Sequence, residues 1–445
     1  MAWIGTIPRR SVNLPPGSLW ALVSSTLGGT LIDGPAVDAF YRKFEKYLGS
    51  PHVIGAETGR SAFELALRSL DLPDGCEIIF PVFTFPVMPM VAKLLGYKPV
   101  FCDVDPKTFN SGPEQIQPLL GDNTGAILAT HLFGRPCPIR EIADMATSRG
   151  IRLVEDCAHA LGVRVDGQSV GTFGDIGMFS FAEGKNMPCM GGGALAIASD
   201  EDYARAQALI AEAPAPDGSK MRSLGTSVWI HWLVTRPWIF GLTAYQILRL
   251  KQRKGEALMD SAVGNELLRK YEKSNPMIRR FANLQGRIGL KQLDRIDAFN
   301  AGAKRNAEIL TEAMGEVPCV QAPPMDGEHI YVYYPLRVDP DKRDDLRHYL
   351  LREGVDTKTT DMSACSVLDP FREGDEAEGQ TTESHVLEIC VYPVLSARQM
   401  RRVGQAIRKW ALQQGTPKAH DTASPTQESP RATVPPPVSE RRQGA

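Results

Sequence analysis

Between about residues 50 and 200, short apolar runs alternate with stretches of helical spacing, and this alternation restricts the fold more than any other feature. The runs are Glu77 to Phe80, Pro99 to Val104, Ala126 to Leu132, Arg152 to Asp156, Ile176 to Phe181 and Gly193 to Ala198. Between them, Ser61 to Leu70 and Pro138 to Thr147 place apolar residues at helical intervals. The pattern argues for βαβ units, hence an α/β fold with a mostly parallel central sheet.

A second unit begins near Arg280. Asn283 to Ile296, Ala301 to Met314, Asp344 to Glu353 and Ser396 to Leu412 read as helices; Ile330 to Val338 and His385 to Val394 read as strands. This is an α+β domain. The expected division is an N-terminal arm over 1–45, a large domain over 46–278, a small C-terminal domain over 279–414 and a tail over 415–445. The tail is rich in Pro, Ser and Thr with little to bury, which predicts disorder.

Val228 to Leu250, within an insert over about 211–278, fits neither unit. Three of the six tryptophans lie in it, and Lys251, Arg253 and Lys254 follow. His231, Arg236 and Pro237 interrupt the run, so two short amphipathic helices hinged at Pro237 are expected rather than a membrane span. A hairpin packed on the protein's own surface or a dimer interface competes with peripheral contact to a membrane or lipid-linked substrate.

The net charge of −2 gives no electrostatic case for nucleic-acid binding. Eight cysteines without paired spacing suggest neither a disulfide framework nor a metal site, and fit thiols in a reducing cytoplasm.

Chemistry enters at two strand ends. V-E-D-C-A-H-A-L-G delivers Asp156 to the end of a buried strand, and G-M-F-S-F-A-E-G-K-N presents Lys185 in the turn after another. That pair suits pyridoxal 5′-phosphate (PLP): the lysine forms the Schiff base, and the carboxylate keeps the pyridine nitrogen protonated. A surface lysine and a capping aspartate are the bland alternative. Gly59 and Arg60 open a helix, where backbone N–H groups and the helix dipole favour a phosphate, and the Ser180 hydroxyl could donate to the same group. The Phe83-Thr84-Phe85 turn offers either an aromatic face for the ring or ordinary core packing. His159 either meets the ring's phenolic oxygen or is a packing histidine.

These residues follow one order along the chain, and the chain resembles the DegT/DnrJ-type sugar-nucleotide aminotransferases, which are fold-type I PLP enzymes. The resemblance rests on T-G-R-S-A-F-E-L-A-L, F-P-V-F-T-F, H-L-F-G-R-P, V-E-D-C-A-H-A-L-G and G-D-I-G-M-F-S-F-A-E-G-K-N. It is dense over residues 30 to 205 and looser over 280 to 412. It implies Lys185 as the Schiff-base lysine, Asp156 as partner of the pyridine nitrogen, Phe85 as the stacking aromatic and His159 near the phenolic oxygen. It also implies Gly59, Arg60 and Ser180 at the phosphate. Where the family commonly has a tyrosine-proline-histidine substrate loop, residues 358 to 371 read K-T-T-D-M-S-A-C-S-V-L-D-P-F.

The expected activity is transamination from an amino acid, by resemblance glutamate, to a keto-sugar, most simply a nucleotide-linked one. A cytoplasmic homodimer is expected, with peripheral contact at the inner membrane face through Val228 to Leu250 as a further expectation. Two other readings stay open: elimination or decarboxylation on the same fold, and a non-catalytic regulatory or membrane-associated protein.

Overall fold

The computed structural model describes residues 5–255, 264–273, 278–372 and 380–414. The expected tail over 415–445 lies outside the described residues. All six apolar runs form strands of one seven-stranded sheet: β1 (His52–Ala56), β2 (Glu77–Pro81), β3 (Lys98–Cys102), β4 (Thr124–Thr130), β5 (Arg152–Asp156), β6 (Ile176–Ser180) and β7 (Gly193–Ile197). Their order is β1-β7-β6-β5-β4-β2-β3. The strands β3, β2, β4, β5 and β6 pair in parallel, and β7 runs antiparallel to both its neighbours.

Both faces of this sheet are covered. Met178 and Leu195 point into a core with Phe63 and Leu67 of the helix Gly59–Ser69, whereas Phe179 and Ala194 point into the opposite core with Phe40 and Phe44 of the helix Ala36–Leu48. Alternate residues thus serve opposite layers, which is why the strands read as continuous apolar runs. The first 45 residues are more than an extended arm. They hold the helix Ser18–Leu27 and most of Ala36–Leu48, whose Phe40, Phe44 and Leu48 recur every fourth residue on one buried face.

A three-stranded antiparallel sheet, Val320–Gln321, Tyr334–Val338 and Val386–Ile389, carries the C-terminal part. The helices Ile296–Met314, Pro340–Arg352 and Ala397–Gln414 share its core through Leu310, Leu350, Ile407 and Trp410. Two expected strands are shorter than their sequence pattern. Tyr331 has a φ of 51°, which ends extended pairing before Tyr334. After Ile389, the Asn306 amide donates to the carbonyls of Val391, Tyr392 and Leu395, so that stretch bonds to a side chain rather than to a neighbouring strand.

The tryptophan-rich segment forms three helices, Gly218–Val234, Pro237–Leu242 and Ala244–Arg253, rather than two. Pro237 starts the second, as a residue without an N–H can. The further break is at Thr243. Arg236, the charge within the run, places its guanidinium 4.0 Å from the Trp232 ring centroid. No described helix is long and apolar enough to cross a membrane.

Candidate active site

Asp156, Ser180 and Thr130 end parallel strands, and ligands of open α/β sheets bind outside such ends. A cavity of about 460 Å³ opens there. It brings together all seven residues singled out from the sequence: Gly59, Arg60, Phe85, Asp156, His159, Ser180 and Lys185.

Lys185 sits in a tight turn closed by its own N–H donating to the Ala182 carbonyl at 3.0 Å. Burial draws its amine down from 10.5 to about 8, aided by the Lys358 charge and opposed by Asp156, Asp361 and Glu388. Burial raises the Asp156 carboxyl, while the Ala158 N–H, 3.0 Å from Oδ1, and the Lys185 charge pull it back.

His159 is held well below the usual imidazole range by burial and by the charges of Lys185 and Lys358. Its Nδ1 accepts the Phe133 N–H at 3.2 Å, so the neutral ring carries its proton on Nε2. A neutral N–H donor in the cavity suits an oxyanion. Of the aromatic pair, Phe83 packs among Phe109 and Phe133, and Phe85 lines the cavity.

At the helix start, Thr58 is the N-cap and accepts the Ser61 N–H at 3.1 Å. A Cβ on Gly59 would lie 2.9 Å from the Ser180 hydroxyl oxygen, so glycine lets the helix end and Ser180 converge. Gly192, at φ 106° and with no room for a Cβ beside Phe281, carries the adjoining cavity wall. The Arg60 guanidinium turns aside to Tyr271, 5.5 Å from its ring centroid.

Sequence reasoning missed several lining residues. Tyr333 donates its hydroxyl to the Gly184 carbonyl at 2.8 Å, and Asp361 approaches from the loop before the short strand Ser363–Ala364. Both are distant along the chain from Lys185, so no local spacing reveals them. Leu224 and Val228 of the insert form another wall, and His231 meets Glu183 at 3.0 Å.

The residues fit PLP. The Thr84 and Thr130 hydroxyls are buried, line the cavity and have no hydrogen-bond partner among the described residues, which leaves them for a polar ligand. A helix start beside a serine, an acid, a neutral imidazole N–H, an aromatic face and a buried lysine match a phosphorylated, aldehyde-bearing pyridine group by group.

Comparison with known proteins agrees. The chain matches the DegT/DnrJ/EryC1/StrS aminotransferase family over residues 19–227 and 257–408. It is 38% identical over 157 residues to a UDP-N-acetyl-3-dehydro-α-D-glucosamine 3-aminotransferase of Acidithiobacillus ferrooxidans, a match covering 35% of this chain and 42% of that protein. It is 23% identical over 389 residues to the dTDP-3-amino-3,4,6-trideoxy-α-D-glucose transaminase of Streptomyces venezuelae, covering 86% of this chain and 89% of that one. The aminotransferase TlmJ from Streptoalloteichus hindustanus superposes with a TM-score of 0.70 at 24% identity, covering 91% of this chain and 98% of its own. The chain belongs to the DegT/DnrJ/EryC1/StrS aminotransferase family, whose members depend on PLP, and its architecture is that of fold type I.

Proposed function

We propose that the protein is a PLP-dependent transaminase that moves an amino group from an amino acid, glutamate in the first instance, to a nucleotide-linked keto-sugar. The product would feed polysaccharide, glycolipid or secondary-metabolite assembly. What supports this most directly is the meeting of Lys185 and Asp156 in one cavity. The nucleotide-linked keto-sugar is carried over from the relatives' names.

When bound, PLP supplies an aldehyde that takes up the amino group and a ring that accepts electrons from the substrate. Lys185 would hold the cofactor through its amine, and that amine, drawn down to about 8 by burial, would be the base that takes the proton from substrate Cα. Asp156 would face the ring nitrogen and favour its protonated form. His159 would donate from Nε2 to the phenolic oxygen, Phe85 would cover one ring face, and the backbone N–H groups at Gly59 and Arg60 with the Ser180 hydroxyl would hold the phosphate.

The domain division at about residue 278, a cytoplasmic homodimer and peripheral contact with the inner membrane face belong to the same proposal. For the last, most exposed large apolar side chains among the described residues lie on Ser18–Leu27 and the insert, among them Trp20, Leu27, Trp238, Leu242 and Ile247. Lys251, Arg253 and Lys254 follow them and suit anionic headgroups.

The test is a half-reaction. Glutamate should convert the bound cofactor to pyridoxamine phosphate, and a panel of UDP-, GDP- and dTDP-linked keto-sugars should convert it back. A protein that removes or eliminates the amino acid side chain without forming pyridoxamine phosphate is not a transaminase.

A further inference from the structure

Resting on the transaminase reading, we propose that Asp361 binds a hydroxyl of the acceptor sugar, and that Lys358 and Glu388 are positioning residues that hold it at the cavity wall. This site occupies the stretch where the chain departs from the family's usual substrate loop.

Three charged side chains from two segments meet there. Lys358 Nζ lies 2.6 Å from Asp361 Oδ2 and 3.3 Å from Glu388 Oε2. It also lies 5.0 Å from the centroid of Tyr333, the residue bonded to the lysine turn. The backbone fixes the pair as well, because the Glu388 N–H donates to the Lys358 carbonyl at 2.9 Å. Lys358 and Glu388 are almost wholly buried, at 6% and 4% side-chain exposure, whereas Asp361 retains 31% and lines the cavity.

One ammonium therefore lies between two carboxylates, of which Asp361 is the one that faces the cavity, where Arg10 is also present. Lys358 occupies Oδ2 of Asp361, and Oδ1 makes no hydrogen bond among the described residues. A cavity-facing carboxylate oxygen with no donor from the described residues is free to accept from a substrate group.

The nature of that donor follows from charge. A carboxylate sharing a cavity with Lys185 repels the α-carboxylate of an amino donor and the phosphates of a nucleotide. A neutral hydroxyl approaches without that penalty and satisfies Oδ1, so Asp361 selects a polyhydroxylated acceptor.

The charge of Asp361 also reaches Lys185. Asp156, Asp361 and Glu388 favour the protonated amine, and Lys358 and burial oppose it, with neutral His159 alongside. Asp361 is itself held below the ordinary carboxylate range by Lys358, Arg10 and Lys185 acting against its burial. Removing its charge should lower the pH at which Lys185 becomes nucleophilic.

The test uses Asp361→Asn and Asp361→Ala in the full chain. kcat/KM for the keto-sugar half-reaction should fall roughly 10- to 100-fold further than that for the glutamate half-reaction, which shares Lys185 but not the hydroxyl contact, as expected for losing a hydrogen bond to a charged group. Independently of turnover, the pH midpoint for borohydride-trappable attachment of PLP to the apoprotein should move to lower pH in both variants. Equal losses in the two half-reactions, an undiminished keto-sugar half-reaction, or an unmoved midpoint would each overturn the assignment. Wild-type protein that attaches no PLP would sink the transaminase reading, and the role of Asp361 with it.

Discussion

The Tyr333 hydroxyl donates to the Gly184 carbonyl at 2.8 Å, so a residue preceding a strand of the small sheet pins the turn that presents Lys185. Tyr333→Phe removes that bond and keeps the ring under Lys358. Turnover should fall about tenfold with a stability loss of only about 1 kcal/mol. Steady-state kinetics beside urea denaturation separates the two effects.

Lys185 gives a pH signature. Its folded value of about 8 lies below the ordinary 10.5, so the folded chain binds fewer protons than the unfolded one between those values. Stability should therefore rise with pH across about 8 to 10.5, and the penalty is fully present below about 8. In the apoprotein, the rate of PLP attachment should climb through a midpoint near 8. A midpoint near 10.5 would mean that the amine is not desolvated.

Gly59→Ala sets a methyl group 2.9 Å from the Ser180 hydroxyl oxygen. The helix itself tolerates alanine, but the clash with Ser180 should lower thermal stability modestly. PLP affinity should drop by about tenfold or more as the phosphate site is crowded. Equilibrium dialysis of PLP against both proteins measures this.

Glu155 precedes Asp156 yet points to the other face of its strand. It accepts the N–H groups of Gly171, Phe173 and Gly174 at 2.7 to 2.8 Å, and His131 at 3.2 Å. Glu155→Gln turns an amide donor toward this ring of donors. A loss of roughly 2–4 kcal/mol in urea unfolding is expected.

If the apolar helices dock on lipid, the protein should co-sediment with vesicles containing phosphatidylglycerol and much less with pure phosphatidylcholine. Trp238→Ala combined with Ile247→Ala should abolish binding without changing the glutamate half-reaction. Binding that persists in the double variant would remove this face from lipid contact, and dimer loss in its place would assign it to protein contact.

The sequence made the sheet legible because strands covered on both faces are written as unbroken apolar runs. It made Asp156 and Lys185 legible because one closes such a run and the other stands in the turn after another. β1 was harder to see, since H-V-I-G-A is short and holds a glycine. Lys358, Asp361 and Tyr333 were invisible for another reason. Their place in the cavity is set by packing of the small sheet, over separations at which spacing carries no information. The alternation over Ile330 to Val338 also promised more strand than forms, because Tyr331 takes a left-handed backbone that apolar patterning does not encode.

Ser363 and Ala364 pair in antiparallel fashion with Thr84 and Phe83. The loop that brings in Asp361 is thereby stitched, main chain to main chain, to the turn that brings in Phe85. Whatever shifts one wall drags the other, so exchanging side chains at 361 and its neighbours would leave the opposite turn in place, whereas lengthening or reshaping that loop would displace Phe85 as well.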